Sequence, residues 1–268
     1  MIRGAVLGSP IFHSLSPVLH RTAYEKLGVF GQYQAIEVTA DHLGEFVSGL
    51  DESWTGLSLT MPLKEVVLDV ADEVDELALR IHSANTLIRS PNGWRALTTD
   101  VSGFSQSLLA HGVNEFKKVI ILGSGATARA AAASCDGPGR QITVIHRSPE
   151  REGAMRKCVQ FADLDFAKWG ADLAEIDLLI NATPAGVADS YSEKLPALVQ
   201  GVYFEALYNP WPTKMLAKWR DLGGLGIDGL DLLVHQGIDQ IQLMTGKSVQ
   251  RAVLAPVLRM ACLAGMKP

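Results

Sequence analysis

Residues 118–129 read Lys-Val-Ile-Ile-Leu-Gly-Ser-Gly-Ala-Thr-Ala-Arg, an apolar run that passes through Gly123, Ser124 and Gly125 into Ala126, Thr127 and Ala128. The Gly-x-Gly-x-x-Ala spacing suits a dinucleotide. Gly123 permits a tight turn, Gly125 lets the backbone approach a pyrophosphate, and Ala128 keeps the following helix close to its strand while the helix N–H groups face the phosphates. Such a turn also occurs for packing reasons alone, so the residues about 20 positions further along the chain decide its weight. There the β-branched run 141–145 leads into His146, Arg147 and Ser148, with Arg151 beyond. An NAD-binding domain carries an acid at this place for the ribose 2′-hydroxyl, whereas a guanidinium binds a 2′-phosphate bidentately. The residues point to NADP(H) as cofactor.

Hydride reaches a ketone without a proton, so a reductase also needs a proton donor for the developing alkoxide. Lys64 follows Thr60-Met61-Pro62-Leu63, at the end of an expected strand and in the first turn of a helix. Asp100 closes Leu97-Thr98-Thr99-Asp100 at the far end of the same region. Each has an ordinary alternative: a solvated lysine, and a cap for a helix starting near Val101. Ser14 and Ser16, two residues apart, are placed to bind a carboxylate, although Ser16 with Pro17 equally reads as an N-cap and first helical residue. The seven histidines show no HExxH or paired-ligand spacing, and the three cysteines, Cys135, Cys158 and Cys262, show no CxxC, so neither a metal nor a disulfide framework is expected.

The elements that must hold these residues alternate between strand and helix. Short apolar runs at 5–7, 33–38 and 56–60 are separated by helical stretches at 18–27 and 42–50, which implies a mostly parallel sheet. A hairpin is expected from 85–89 and 94–97, joined by Ser90-Pro91-Asn92-Gly93 with its Asn-Gly turn chemistry, followed by a helix over 101–110. Beyond the cofactor strands, 177–180 opens into Asn181-Ala182-Thr183-Pro184 and 202–207 opens into Tyr208-Asn209-Pro210. In an open parallel sheet ligands lie at the carboxyl ends of the strands, so both loops are expected beside the nicotinamide. Residues 230–244 and 249–263 read as two closing helices expected to pack back on the first domain.

With 268 residues, 47% hydrophobic and 20% charged, the chain has the make-up of one large or two ordinary globular domains. A net charge of −5 argues against nucleic acid or an anionic membrane as partner and favours small molecules. No apolar run is long enough to span a bilayer, and the strand-like opening lacks a signal-peptide layout, so a cytoplasmic protein, monomer or homodimer, is expected.

Together the motifs resemble the shikimate dehydrogenase family, over residues 8–246. Gly8-Ser9-Pro10 through His13-Ser14-Leu15-Ser16-Pro17 and His20 looks like the family's opening substrate motif, which implies Ser14 and Ser16 at the shikimate carboxylate. Residues 56–64, Gly-Leu-Ser-Leu-Thr-Met-Pro-Leu-Lys, resemble the segment with a substrate-binding threonine and the catalytic lysine, implying Thr60 and Lys64 in those roles. Ser83-Ala84-Asn85-Thr86 and Thr99-Asp100 imply Asn85 and Asp100 at the ring hydroxyls. Tyr208-Asn209-Pro210 with Thr213, and Gln236-Gly237, are similar to segments that close over substrate and nicotinamide. The implied cofactor residues are Gly123, Ser124, Gly125, Ala126 and Thr127, then His146, Arg147, Ser148 and Arg151, then Asn181, Thr183, Leu207 and Gly229.

The resemblance implies an α/β fold of two domains: a substrate domain from 1–100 plus 233–268, and an inserted Rossmann-type NADP-binding domain over 101–232. It implies NADPH-dependent reversible reduction of 3-dehydroshikimate to shikimate in aromatic amino acid (chorismate) biosynthesis. Lys64 would donate the proton, and Asp100 would position Lys64 and a ring hydroxyl, its negative charge favouring the charged amine. Ser58 and Thr98 stand where the family commonly has Asn, which alters hydrogen bonding beneath the site; Ser124, Thr127, His146 and Ser148 also depart from the common cofactor pattern. Rival readings are a dehydrogenase of quinate or amino-shikimate, and a non-catalytic NADP-binding sensor.

Overall fold

The protein is described by a computed structural model that covers residues 1–173 and 175–266. It divides into two compact units, Met1–Thr99 with Leu233–Pro268, and Asp100–Leu232. Lys267 and Pro268, the end of the expected substrate domain, lie outside the described residues.

The first unit opens with β1 (Ile2–Gly8), α1 (Ser16–Lys26), β2 (Gly31–Glu37), α2 (Leu43–Ser48), β3 (Gly56–Leu59), α3 (Leu63–Val70), β4 (Glu73–Val74), α4 (Glu76–Arg80), β5 (Thr86–Ser90) and β6 (Gly93–Leu97). Its six-stranded sheet has the order β2-β1-β3-β5-β6-β4. β5 is antiparallel to β3 and β6, while the β1–β2, β1–β3 and β4–β6 pairs are parallel. One reversed strand has a useful consequence: the carboxyl ends of β1, β3 and β6 and the start of β5 share one edge. Beneath them Leu7, Leu57, Leu59 and Leu87 pack with Leu63 and Val67 of α3 and Leu43 and Val47 of α2. Burying each such side chain contributes roughly 1.5–3 kcal/mol, so the edge rests on a stiff base.

The second unit comprises α5 (Asp100–Ala110), β7 (Lys118–Leu122), α6 (Ala126–Cys135), β8 (Gln141–His146), α7 (Glu152–Arg156), β9 (Asp163–Lys168), β10 (Leu178–Asn181), β11 (Val202–Glu205), α8 (Lys214–Asp221) and β12 (Leu225–Ile227). Its sheet runs β12-β11-β10-β7-β8-β9 with every pair parallel. That is the strand order of a Rossmann nucleotide fold, with the topological switch between β7 and β10. Strands buried on both faces need continuous apolar runs, and Val119–Leu122 and Leu178–Ile180 supply them. The chain then forms α9 (Gly229–Thr245) and α10 (Arg251–Gly265), which belong to the first unit from Leu233 on; α10 packs against α1.

Several boundaries differ from the sequence-based expectation. α1 begins at Ser16, with Leu15 as N-cap, so Ser16 does not cap it; instead the Ser16 N–H donates to the Ser14 hydroxyl at 3.3 Å, a local turn that starts the helix early. α5 begins at Asp100 itself. β11 stops at Glu205, two residues short, because the Leu207 N–H turns back to the Glu205 carboxylate at 3.2 Å. In the hairpin, Ser90 pairs with Gly93, leaving Pro91-Asn92 as the loop, and the Trp94 N–H donates to the Asp72 carboxylate at 2.7 Å.

Candidate functional site

In the first unit Thr60 follows β3, and its N–H donates to the Leu7 carbonyl at 2.9 Å, so the ends of β1 and β3 are tied together. The Thr60 carbonyl accepts the Leu63 N–H at 2.8 Å, which starts α3 and sets Lys64, half-buried, in its first turn. The Lys64 carbonyl in turn accepts the Ala84 N–H at 2.8 Å, next to Asn85. Ser14 lies in the loop after β1 and Ser16 opens α1, and at the start of that loop the Ser9 N–H reaches the Met61 carbonyl at 3.0 Å. Three of the candidate segments thus meet at one sheet edge.

Asn85 is the centre of a buried polar network. Its Oδ1 accepts from the Thr99 N–H at 2.8 Å and the Thr86 hydroxyl at 2.9 Å, which orients Nδ2 toward Thr99 Oγ1 at 2.9 Å and Gln236 Oε1 at 3.1 Å. Gln236 Nε2 donates to the Leu233 carbonyl at 2.7 Å. One helical turn further along α9, Gln240 Nε2 donates to the Asn85 carbonyl at 3.0 Å and Thr86 Oγ1 at 2.9 Å, and its Oε1 accepts from Ser58 at 2.8 Å. The Tyr33 hydroxyl donates to Ser58 at 2.5 Å. Ser58 is therefore the link between β2 and α9 beneath the edge. Thr98, the other departure, has a buried hydroxyl with no hydrogen-bond partner among the described residues.

His20 lies under this network, stacked on the Tyr33 ring at 3.8 Å between centroids, with Nδ1 3.3 Å from the Tyr24 hydroxyl. Its Nε2 is buried and, among the described residues, has no partner within hydrogen-bond geometry. Complete burial lowers its pKa to about 3, with the neighbouring Gln240 side chain offsetting a small part, so His20 is neutral and serves the packing.

In the second unit the β7–α6 turn stands at the switch point. Gly123 has φ +106°, a left-handed conformation that favours glycine, and a Cβ there would lie 3.2 Å from the Ala182 carbonyl oxygen and from Thr183 Cγ2. The turns after β7 and β10 are thereby brought together. Gly125 is the N-cap of α6 and offers no side-chain cap, which leaves the helix N–H groups to a ligand phosphate. Ser124 is buried, while Ala126 and Thr127 of the first helical turn are half-buried. An Arg151 guanidinium nitrogen lies 3.6 Å from where a Gly125 Cβ would stand. Arg147 is exposed, its guanidinium 5.5 Å from the centroid of the Trp169 ring. These groups fit a dinucleotide with an extra phosphate.

His146 is placed differently from its neighbours. It is buried, edge-on to Phe166, with Nδ1 accepting the Ser148 N–H at 3.2 Å and Nε2 3.4 Å from a Glu152 oxygen. Its side chain shapes the turn that carries Arg147 and Ser148.

The remaining cofactor candidates, Asn181, Thr183, Leu207 and Gly229, gather at the ends of β10 and β11. A Cβ on Gly229 would come within 2.4 Å of the Leu207 carbonyl group, so only glycine permits this approach. Asn181 Oδ1 accepts from the Thr183 N–H at 3.1 Å and its hydroxyl at 2.7 Å. Behind them sits Glu205, fully buried and not anticipated from the sequence, although an acid inside the apolar run 202–207 is a readable signal. Asp100, buried in the first turn of α5, and half-buried Tyr208 also belong to this unit. Among the described residues no group of His, Cys, Asp and Glu could hold a metal ion, and no helix is long and apolar enough to cross a membrane.

Residues 6–87 match the family model described as the shikimate dehydrogenase substrate binding domain. A shikimate dehydrogenase (NADP(+)) of Methanococcoides burtonii is 36% identical over 253 residues, which cover 91% of this chain and 92% of that protein. The crystal structure of Mycobacterium tuberculosis shikimate dehydrogenase matches with a TM-score of 0.86 at 36% identity, covering 99% of this chain and 100% of that one. A shikimate 5-dehydrogenase from Thermus thermophilus, in complex with NADP(H) and shikimate, matches with a TM-score of 0.83 at 30% identity, covering 97% of this chain and 100% of that one.

Proposed function

The chain belongs to the shikimate dehydrogenase family, and from that premise we propose that it catalyses the reversible NADPH-dependent reduction of 3-dehydroshikimate to shikimate in chorismate biosynthesis. The observation that carries this reading is the Asn85 network: amides and hydroxyls fixed at the sheet edge that also presents Thr60 and Lys64, the groups a polyhydroxylated ring needs. Ser14 and Ser16 take the substrate carboxylate, and Thr60, Asn85, Tyr208 and Gln236 take its hydroxyls and ring. Lys64 Nζ gives its proton to the oxygen that becomes the alcohol, and Asp100 positions the amine. NADPH, when bound, supplies the hydride. The α6 N-terminus holds the pyrophosphate, with Arg147 and Arg151 at the 2′-phosphate. On this reading Met1–Thr99 with Leu233–Pro268 is the substrate domain and Asp100–Leu232 the NADP domain of a cytoplasmic enzyme.

The test is a panel of initial rates: NADPH and NADH with 3-dehydroshikimate, and NADP⁺ and NAD⁺ with shikimate and quinate. Fast turnover confined to the NADP couple and shikimate is expected. Equal or better oxidation of quinate with NAD⁺ overturns the substrate and cofactor assignment.

A further inference from the structure

Glu205 has no role in the chemistry above, yet two of the four cofactor candidates at the ends of β10 and β11 bond to it, and a third, Thr183, bonds to one of these two. Its Oε1 accepts from the Leu207 N–H at 3.2 Å and from Asn181 Nδ2 at 3.1 Å. Its Oε2 accepts from the Tyr203 hydroxyl at 2.7 Å, the Thr213 hydroxyl at 2.8 Å and Asn181 Nδ2 at 3.1 Å. Every partner is a donor, which matches an ionised, acceptor-only carboxylate. Burial raises the pKa of Glu205, and these donors work against that rise.

The carboxylate decides which way the Asn181 amide points. With Nδ2 committed to Glu205, Oδ1 must face Thr183, where it accepts both the N–H and the hydroxyl. Thr183 Cγ2 in turn borders Gly123, and the Leu207 carbonyl borders Gly229. A dinucleotide spans both halves of such a sheet. The pyrophosphate turn follows β7 and the arginines follow β8, so the nicotinamide falls to the loops after β10 and β11.

We propose that Glu205 is a positioning residue for the nicotinamide end of the cofactor, acting through Asn181, Thr183 and the Leu207 N–H. The proposal rests on the NADP reading above. Glu205→Gln keeps the shape, but because Asn181 Nδ2 donates to both carboxylate oxygens, either orientation of the new amide sets an N–H₂ against it, which frees the Asn181 amide to flip.

The experiment is calorimetric titration of the full-length protein with NADPH and with adenosine 2′,5′-bisphosphate, which lacks the nicotinamide. Glu205→Gln is expected to weaken NADPH about tenfold and to leave the bisphosphate within about twofold, as loss of one or two charged hydrogen bonds implies. Glu205→Asp is expected to recover part of the loss. Unchanged NADPH binding, or equal weakening of both ligands, overturns the proposal. If Glu205→Gln does not fold, Tyr203→Phe removes one donor and leaves the ring on Trp219; NADPH is then expected to weaken about threefold with the bisphosphate unchanged, under the same criterion. Wild-type protein that binds neither ligand counts against the NADP reading itself.

Discussion

Both units present their candidate groups at strand ends, but the two edges are built from opposite materials. In the first unit the buried network is uncharged: Tyr33, Ser58, Gln240, Thr86, Asn85, Thr99 and Gln236 pass hydrogen bonds among amides and hydroxyls, and His20 beneath them is neutral. In the second unit charge does the work. Exposed Arg147 and Arg151 and a bare helix N-terminus face outward, and the buried Glu205 carboxylate stands behind the loops after β10 and β11. A ring of hydroxyls has no net charge to attract, so it is recognised by fixed donor and acceptor directions; a phosphate is recognised by charge wherever water is thin. The division matches the build of the first network, whose members come from segments up to 182 residues apart.

The comparison can be broken in three places. Lys64→Ala has the largest expected effect: turnover falls by about 10²- to 10⁴-fold, the usual worth of a positioned proton donor, while NADPH binding by fluorescence stays near wild type. Undiminished turnover places the donor elsewhere. Arg147→Asp comes next, raising the Michaelis constant for NADPH by about tenfold or more with that for NADH nearly unchanged. Equal shifts remove Arg147 from the 2′-phosphate. A stability measurement tests the neutrality of the first network. Below pH 6.5 an unfolded chain protonates His20 while the native one does not until about pH 3, so each pH unit in that window costs about 1.4 kcal/mol of stability that is fully present above it. Urea unfolding at pH 7 and pH 5 is expected to lose this slope in His20→Gln; an identical slope means the native protein accommodates the charge.

Legibility in the chain divides along the same line. The turn at Gly123, the arginines after β8 and the loops after β10 and β11 are contiguous motifs, and the structure sets each at the carboxyl end of its strand, which for parallel strands follows from chain direction alone. Asn85, Thr60 and Lys64 were also legible as local segments. Their support was not: Gln240 is 182 residues from Ser58 and 154 from Thr86, and no spacing rule connects them. The role of Glu205 is not legible, because a lone acid in an apolar run looks like an exception to burial without its four donor residues. Ser16 shows the reverse case, in which a strong local rule for caps was overridden by the hydroxyl two residues before it.

The first unit is assembled from both ends of the chain, whereas the second is one unbroken stretch. During synthesis every strand of the nucleotide sheet is made before Gln236 and Gln240 are added, so the sequence of the cofactor half is complete while the first unit still lacks part of its network. The network around Asn85 stays unfinished until α9 has been made, leaving the early strands to wait, their polar groups in water, for a helix that follows the whole nucleotide unit in the chain.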